Sequence, residues 1–317
     1  MPYIAWFDAG KLQRPQVGGK GAALSELSAA GFQVPPGFCI TADGYRHYES
    51  SSGLEARIAS LMDGVDTTQP QSVREAATAI CEMVRQTPLP EDLQAEIASA
   101  YGVLMQKQEI ACAVRSSATS EDGSAASFAG LYETYLNVRG VDDVLQCVHD
   151  CYVSLWGERA VGYRARKAGH AVDEAMAVVV MGLVPSETSG IAFTAHPVTG
   201  SLDQVVINAS FGLGEAIVSG RVTPDSFVVS KQSFAILERE IYPKEIATYP
   251  NPDGHGTVDI ALAADVQKKP SLTDDQACEV ARLAAKVEQH YGLPQDIEWG
   301  LASDSLYLLQ ARPITTL

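Results

Sequence analysis

The sequence predicts a mixed helix-and-strand fold in two lobes, on three observations. The chain has 317 residues, enough for two separate cores. Helical patterns dominate 54–108 and 141–168. From 175 onward, short apolar strands take over. A lobe boundary near residue 180 follows, dividing the chain into 1–180 and 181–317.

Residues 1–50 mix a Gly-rich loop, a helix over 22–30 ended by Gly31, and a Pro35-Pro36 turn. The helical stretch 54–108 is interrupted between Gly64 and Pro70 and again by Pro88 and Pro90. Strands are expected at 110–115 and 131–138, then helix over 141–168, ended by Gly169. Further strands are expected at 175–184, 189–194, 204–209 and 226–230. Residues 249–257 read as a polar loop, and Thr273 caps a helix through His290. No repeat or low-complexity tract interrupts this order.

Composition narrows the class. Hydrophobic residues make up 46% and charged residues 20%, close to globular norms. A net charge of −16 argues against a nucleic-acid or anionic-membrane surface. No uncharged apolar segment reaches the ~18 residues a bilayer span needs. The N-terminus lacks the basic-then-apolar pattern of a signal peptide. The six cysteines form no CxxC pair, and Cys147 and Cys151 share a helix face, which suits core packing better than zinc. Reduced thiols in a cytoplasmic protein are the expectation.

Chemistry concentrates in a few places. Asp296-Ile297-Glu298-Trp299 alternates polar and apolar residues, so a strand puts Asp296 and Glu298 on one face. Ser303-Asp304-Ser305 suits a turn, and residues 306–309 return as a strand delivering Gln310 and Arg312 on one face. Carboxylates and an amide oxygen converging across a hairpin are hard ligands that suit Mg²⁺ beside phosphates. The same pattern also describes a solvated strand face with a surface arginine. Val17-Gly18-Gly19-Lys20-Gly21 offers glycines for close backbone approach and a lysine at a helix N-terminus. It lacks the Walker A spacing and the Ser/Thr after the lysine, and taken alone it reads first as an ordinary turn. Arg115, with Ser116 and Ser117, follows an apolar run and supplies a cation suited to phosphate. The small-residue loop leading through Gly130 to Leu131, Tyr132 and Thr134 could cover phosphates with backbone N–H groups, or form a plain hairpin.

These pieces resemble one family in this order. The matching stretches are VGGKGAALSEL at 17–27, VPPGFCIT at 34–41, AVRSSATSEDGSAASFAGLYET at 113–134, SGIAFTAHPVTG at 189–200, FGLGEAIVSGRVTPD at 211–225, DIEW at 296–299 and LLQARPIT at 308–315. The chain is similar to the ATP-binding domain of phosphoenolpyruvate synthase (pyruvate, water dikinase), pyruvate phosphate dikinase and rifampin phosphotransferase. The resemblance implies an α+β ATP-grasp fold, with ATP held between two lobes. It implies phosphate-contacting cations at Lys20 and Arg115, and metal ligands at Glu298 and Gln310, with Asp296 and Arg312 in the same motifs. It implies catalytic roles for Lys20, Arg115 and Arg312. It implies a phosphate-covering loop around Gly130, with Leu131, Tyr132 and Thr134. Residues 176–184, including Met181 and Leu183, match the segment that lines the adenine. Members commonly carry Gln where Met181 stands, and a thioether does not donate as an amide does.

The resemblance also implies Mg²⁺ as cofactor, ATP as substrate and AMP as product. Larger members pass phosphate through a histidine on a separate carrier domain. Here the six histidines lie at 47, 149, 170, 196, 255 and 290, none in the Gly-rich context of that carrier. His196 sits within an ATP-domain motif, whereas His149 and His170 have helical, structural settings. The chain is therefore expected to be a cut domain or a stand-alone protein that works with a separate carrier or acceptor. Two rival readings remain at this level. One is a self-contained kinase for a small molecule held by Glu215 and the Gly212-Leu213-Gly214 loop. The other is a nucleotide-binding regulator that has lost transfer.

Overall fold

The computed structural model describes residues 3–107, 111–119, 122–123, 126–127, 133–166 and 174–315. The chain divides into two compact units. The first comprises 1–29 and 36–182, the second 30–35 and 183–317.

The first unit is built on strands β1 (Ile4–Trp6), β2 (Gly37–Ile40), β3 (Cys112–Ala118), β6 (Thr134–Val138) and β7 (Met176–Gly182), with a two-residue ladder between β4 (Asp122–Gly123) and β5 (Ala126–Ser127). The five longer strands form one sheet in the order β1-β2-β7-β3-β6, every neighbour antiparallel. Its central strand, β7, is buried on both faces, as its apolar run requires. Helices α1 (Arg14–Ala29), α2 (Ala42–Ser52), α3 (Leu54–Asp63), α4 (Pro70–Gln86), α5 (Glu91–Lys107), α6 (Val141–Ser154) and α7 (Glu158–Arg166) complete the unit. Pro70 opens α4 at a position where its missing N–H costs nothing, and Val73, Ala77, Ile80 and Val84 form its buried stripe. These side chains share one core with Phe38, Ile40, Val114, Met176, Val178 and Val180 from one sheet face. Ala113, Arg115, Ser117, Val179 and Met181 alternate to the opposite face, where α1 packs against β3 and β7.

Tyr45, Tyr48 and Tyr152 form an aromatic cluster in this core, with Tyr48 stacked 5.5 Å from Tyr152. His149 Nε2 lies 3.0 Å from the Val84 carbonyl oxygen and 3.2 Å from the Tyr48 hydroxyl, a structural setting. The Tyr45 hydroxyl accepts from Trp156 Nε1 at 2.9 Å and donates to Glu49 at 2.7 Å. Burial pushes the Glu49 carboxyl up to about 7, although Tyr45 and Arg164 pull the other way. The fold therefore favours the protonated acid. Its contribution to stability is fully present below the ordinary value of 4.5 and is lost as pH rises through about 7. Glu49→Gln should match the wild-type melting temperature at acidic pH and exceed it by about 3 °C above neutral. An equal effect in melting scans on both sides of neutrality would refute the assignment.

The second unit centres on a six-stranded antiparallel sheet in the order β11-β10-β9-β8-β14-β15. Its strands are β8 (Thr188–Phe193), β9 (Gln204–Phe211), β10 (Asp225–Ser230), β11 (Ile236–Glu240), β14 (Gln295–Ala302) and β15 (Ser305–Pro313). A separate hairpin pairs β12 (Ile246–Pro250) with β13 (Thr257–Ala261). Two short helices, α8 (Glu215–Val218) and α9 (Ala264–Gln267), precede α10 (Asp274–Tyr291). Thr273 caps α10 as expected, in a reciprocal box with Gln276, and left-handed Gly292 ends it. Ile297, Ala192, Ile207 and Phe227 form one wholly buried row across β14, β8, β9 and β10. Thr194, two residues on from Ala192, donates to Glu288 of α10 at 3.1 Å, which sets α10 on that face. Gly212, at φ +76°, bridges Thr248, and a side chain there would meet the Thr248 carbonyl oxygen at 2.2 Å.

Several sequence-based boundaries need correction. The strand expected at 110–115 is β3, shifted to Cys112–Ala118, because pairing with β7 carries Ser116, Ser117 and Ala118 into the sheet despite their low strand propensity. The helix expected at 141–168 is two helices, α6 and α7, separated at 155–157 around Gly157. The loop expected at 249–257 is narrower: Tyr249 and Pro250 close β12, and Thr257 opens β13. The strands β1, β2 and β11 were not foreseen; each is short, and β11 exposes most of its residues. The expected loop over 17–21 lies inside α1, which departs from helical geometry at Gly18.

Candidate functional site

In the first unit, α1 breaks at Gly18, where φ is +69° and ψ is −176°. A Cβ at this position would lie 1.9 Å from the Ser117 carbonyl oxygen, so only glycine lets α1 approach β3 so closely. Lys20 follows the break on the restarting helix, half-buried, and its Nζ donates to the Ser116 carbonyl at 3.1 Å. Arg115 stands on the same strand, half-buried and on the face that meets α1. Thr134 is its ladder partner on β6 and Val179 its partner on β7. Met181 pairs with Ala113 one same-face step away and is buried. Lys20, Arg115, Thr134 and Met181 thus share one side of the sheet. Gly130, Leu131 and Tyr132 lie outside the described residues.

The second unit holds Leu183, which is buried, and the acidic hairpin. Ser303 and Asp304 both take positive φ, 48° and 60°, which makes the tight two-residue turn between β14 and β15. The register pairs Asp296 with Arg312 and Glu298 with Gln310. All four side chains therefore occupy the sheet face opposite α10. A bulge just beyond Glu298 shifts the ladder so that Trp299 meets Leu308. Asp296 Oδ2 accepts from Arg312 Nε and Nη2, each at 2.7 Å. Burial pushes the Asp296 carboxyl up, against the pull of the Arg312 guanidinium, and the charge of Glu298 adds to the rise. Asp296 thus acts as the holder of Arg312, while Glu298 is half-buried beside the buried Gln310.

Among the described residues, no three His, Cys, Asp or Glu side chains gather into a metal cage. The donor set on this rung is one carboxylate, one amide oxygen and a neighbouring carboxylate bound to arginine. That set fits Mg²⁺, which commonly takes one or two carboxylates and leaves the rest of its shell to phosphates and water. Alternation along β9 adds a polar residue that motif reading missed: Asn208 pairs with Ile191, which pairs with Glu298, so all three share a row.

Two other sequence candidates are engaged elsewhere. Glu215 Oε1 accepts from Arg221 Nη2 at 3.0 Å and its Oε2 accepts from Thr257 at 2.7 Å. Arg221 also pairs with Asp259, which accepts from Thr248, so Glu215 belongs to a clasp on the β12–β13 hairpin. His196 Nδ1 accepts from the backbone of Val198 at 3.2 Å and Thr199 at 3.3 Å. Acceptance at Nδ1 puts the neutral-ring proton on Nε2 and makes this histidine the organiser of its own turn.

Comparison with known proteins fits this arrangement. Residues 14–317 match the model of the pyruvate phosphate dikinase AMP/ATP-binding domain. The chain is 40% identical to a probable phosphoenolpyruvate synthase of Methanocaldococcus jannaschii, over 100% of this chain and 27% of that protein. It is 40% identical to phosphoenolpyruvate synthase of Pyrococcus furiosus, over 99% of this chain and 44% of that protein. A rifampicin phosphotransferase of a Streptomyces species is 42% identical, over 95% of this chain and 34% of that protein. The chain therefore spans less than half the length of these relatives. With its glycine break, its cation-bearing strand and its acidic hairpin inside the matched region, the chain belongs to the pyruvate phosphate dikinase AMP/ATP-binding domain family.

Proposed function

We propose that the chain is the MgATP-binding, phosphoryl-transferring module of a dikinase-type enzyme, its two units being the lobes of an ATP-grasp fold. The observation that supports this most is the ladder pairing of Glu298 with Gln310 beside the Asp296–Arg312 ion pair. Glu298 and Gln310 would hold Mg²⁺, which supplies charge neutralisation at phosphate oxygens when bound. Lys20 and Arg115 would contact phosphates and Arg312, oriented by Asp296, would offset charge that develops in transfer. The loop through Gly130, Leu131, Tyr132 and Thr134 would cover the phosphates. Met181 and Leu183 would line the base through apolar and backbone contacts.

In the manner of the family, ATP would be cleaved to AMP, with one phosphoryl group passing to a carrier histidine on another domain or to a separate acceptor and the other going to water or phosphate. The small-molecule-kinase reading gains no support from Glu215, whose two oxygens are both engaged by neighbours. A cytoplasmic setting fits the six free thiols. Among the described residues, no helix is long and apolar enough to cross a membrane.

The test is nucleotide turnover by this chain with and without an added phosphohistidine-type domain. Alone, the chain should bind MgATP and turn it over slowly. With the added domain it should form AMP and acid-labile phosphate on that domain. Rapid ADP formation with only a small metabolite present would replace this reading with the self-contained kinase. Arg115→Ala should reduce turnover by about 10²-fold and leave adenosine affinity nearly unchanged, because a guanidinium fork recognises phosphate and not the nucleoside. Loss of adenosine binding with turnover intact would reverse that role.

A further inference from the structure

The break in α1 is filled from outside the helix. In a continuous α-helix the Gly21 N–H donates to the Val17 carbonyl, four residues back. Here the Ser117 hydroxyl stands in that bond. Ser117 Oγ accepts from the Gly21 N–H at 3.1 Å and donates to the Val17 carbonyl at 2.8 Å. Insertion of a side chain into the helical ladder is one of the few causes of a sharp kink. The inserted group is wholly buried and satisfies both backbone groups that the break opens. Ser117 follows Arg115 by two residues on β3, so both present the same face to α1. Lys20, one residue before Gly21, reaches Ser116 on that strand.

We propose that Ser117 is a positioning residue for the nucleotide site: its inserted hydroxyl sets where α1 restarts, and so holds the Lys20 ammonium at the Ser116 carbonyl of β3. The proposal rests on the reading of this chain as a MgATP module. Closing the Gly21–Val17 bond in place of the break would change the backbone path between Gly18 and Gly21, and with it the position of Lys20 against β3. A phosphate contact made by Lys20 would be lost, while groups that hold the nucleoside would be untouched.

Calorimetric titration of the intact chain with MgATP and with adenosine tests this. Ser117→Ala should weaken MgATP binding by about tenfold, the worth of one charge-assisted contact, and adenosine binding by less than about twofold. In a double-mutant cycle the serine change should cost little once Lys20→Ala is present. Ser117→Cys, close in size and a poor hydrogen-bond partner, should show the same split if the alanine variant folds badly. Equal weakening of both ligands, or additive effects with Lys20→Ala, would overturn the role of Ser117 and leave the module reading intact. Failure of the wild-type chain to bind MgATP would overturn the module reading and this inference with it.

Discussion

Replacing Glu298 by alanine is expected to lower Mg²⁺-dependent ATP turnover by on the order of 10²–10³-fold, since a bound metal supplies several kcal/mol of charge stabilisation. Glu298 is the carboxylate of the Glu298–Gln310 rung that remains after Asp296 commits its Oδ2 to Arg312. An amide alone is a weak holder for a hard dication. Nucleotide binding measured without divalent metal should change far less, because the cations Lys20 and Arg115 lie in the other unit. Glu298→Gln should resemble Glu298→Ala in turnover, since the lost quantity is charge. Stopped-assay turnover across a Mg²⁺ titration is the measurement. Wild-type turnover by the alanine variant would remove Glu298 from the site.

Asp225→Ala should be the most damaging single change to stability, at about 3–5 kcal/mol, the usual cost of stranding one member of a buried ion pair. Asp225 and Lys244 are both wholly buried, their charged atoms 2.5 Å apart. Asp225 also accepts from the Ser271 N–H and hydroxyl at 2.7 Å each, and from the Tyr242 N–H at 3.1 Å. Lys244 donates to the Tyr242 carbonyl at 2.9 Å and lies over the Phe211 ring at 5.5 Å. Alanine would leave an ammonium in an apolar enclosure together with three donors that lack their acceptor. Urea unfolding of the intact chain should show a large fall in midpoint. Removing both charges with Asp225→Ala and Lys244→Met should recover part of it, since the stranded charge goes with the lysine. A loss below about 1 kcal/mol for Asp225→Ala would mean that water reaches the lysine and the pair is not enclosed.

The acidic hairpin could be read from sequence alone because its signals are local. Period-2 alternation puts Asp296 and Glu298 on one face, and Ser303-Asp304 at the turn brings the return strand into register with Gln310 and Arg312. Thr273 likewise announced the start of α10. The order of the motifs was enough to indicate the family. Three-dimensional structure decided what depends on distant partners. Motif reading grouped Asp296 with the metal ligands, yet only the ladder shows both Arg312 nitrogens on its Oδ2. Glu215 looked available until the β12–β13 hairpin brought Arg221 and Thr257 to it. Gly18-Gly19-Lys20 read as a loop, because glycines weaken a helix. The segment instead lies within α1, whose break is filled by a hydroxyl 96 residues further along the chain. Local propensity and period fix which face a side chain takes; which group then meets it is set by pairings between strands and helices far apart in sequence, which do not show in a local reading of the chain.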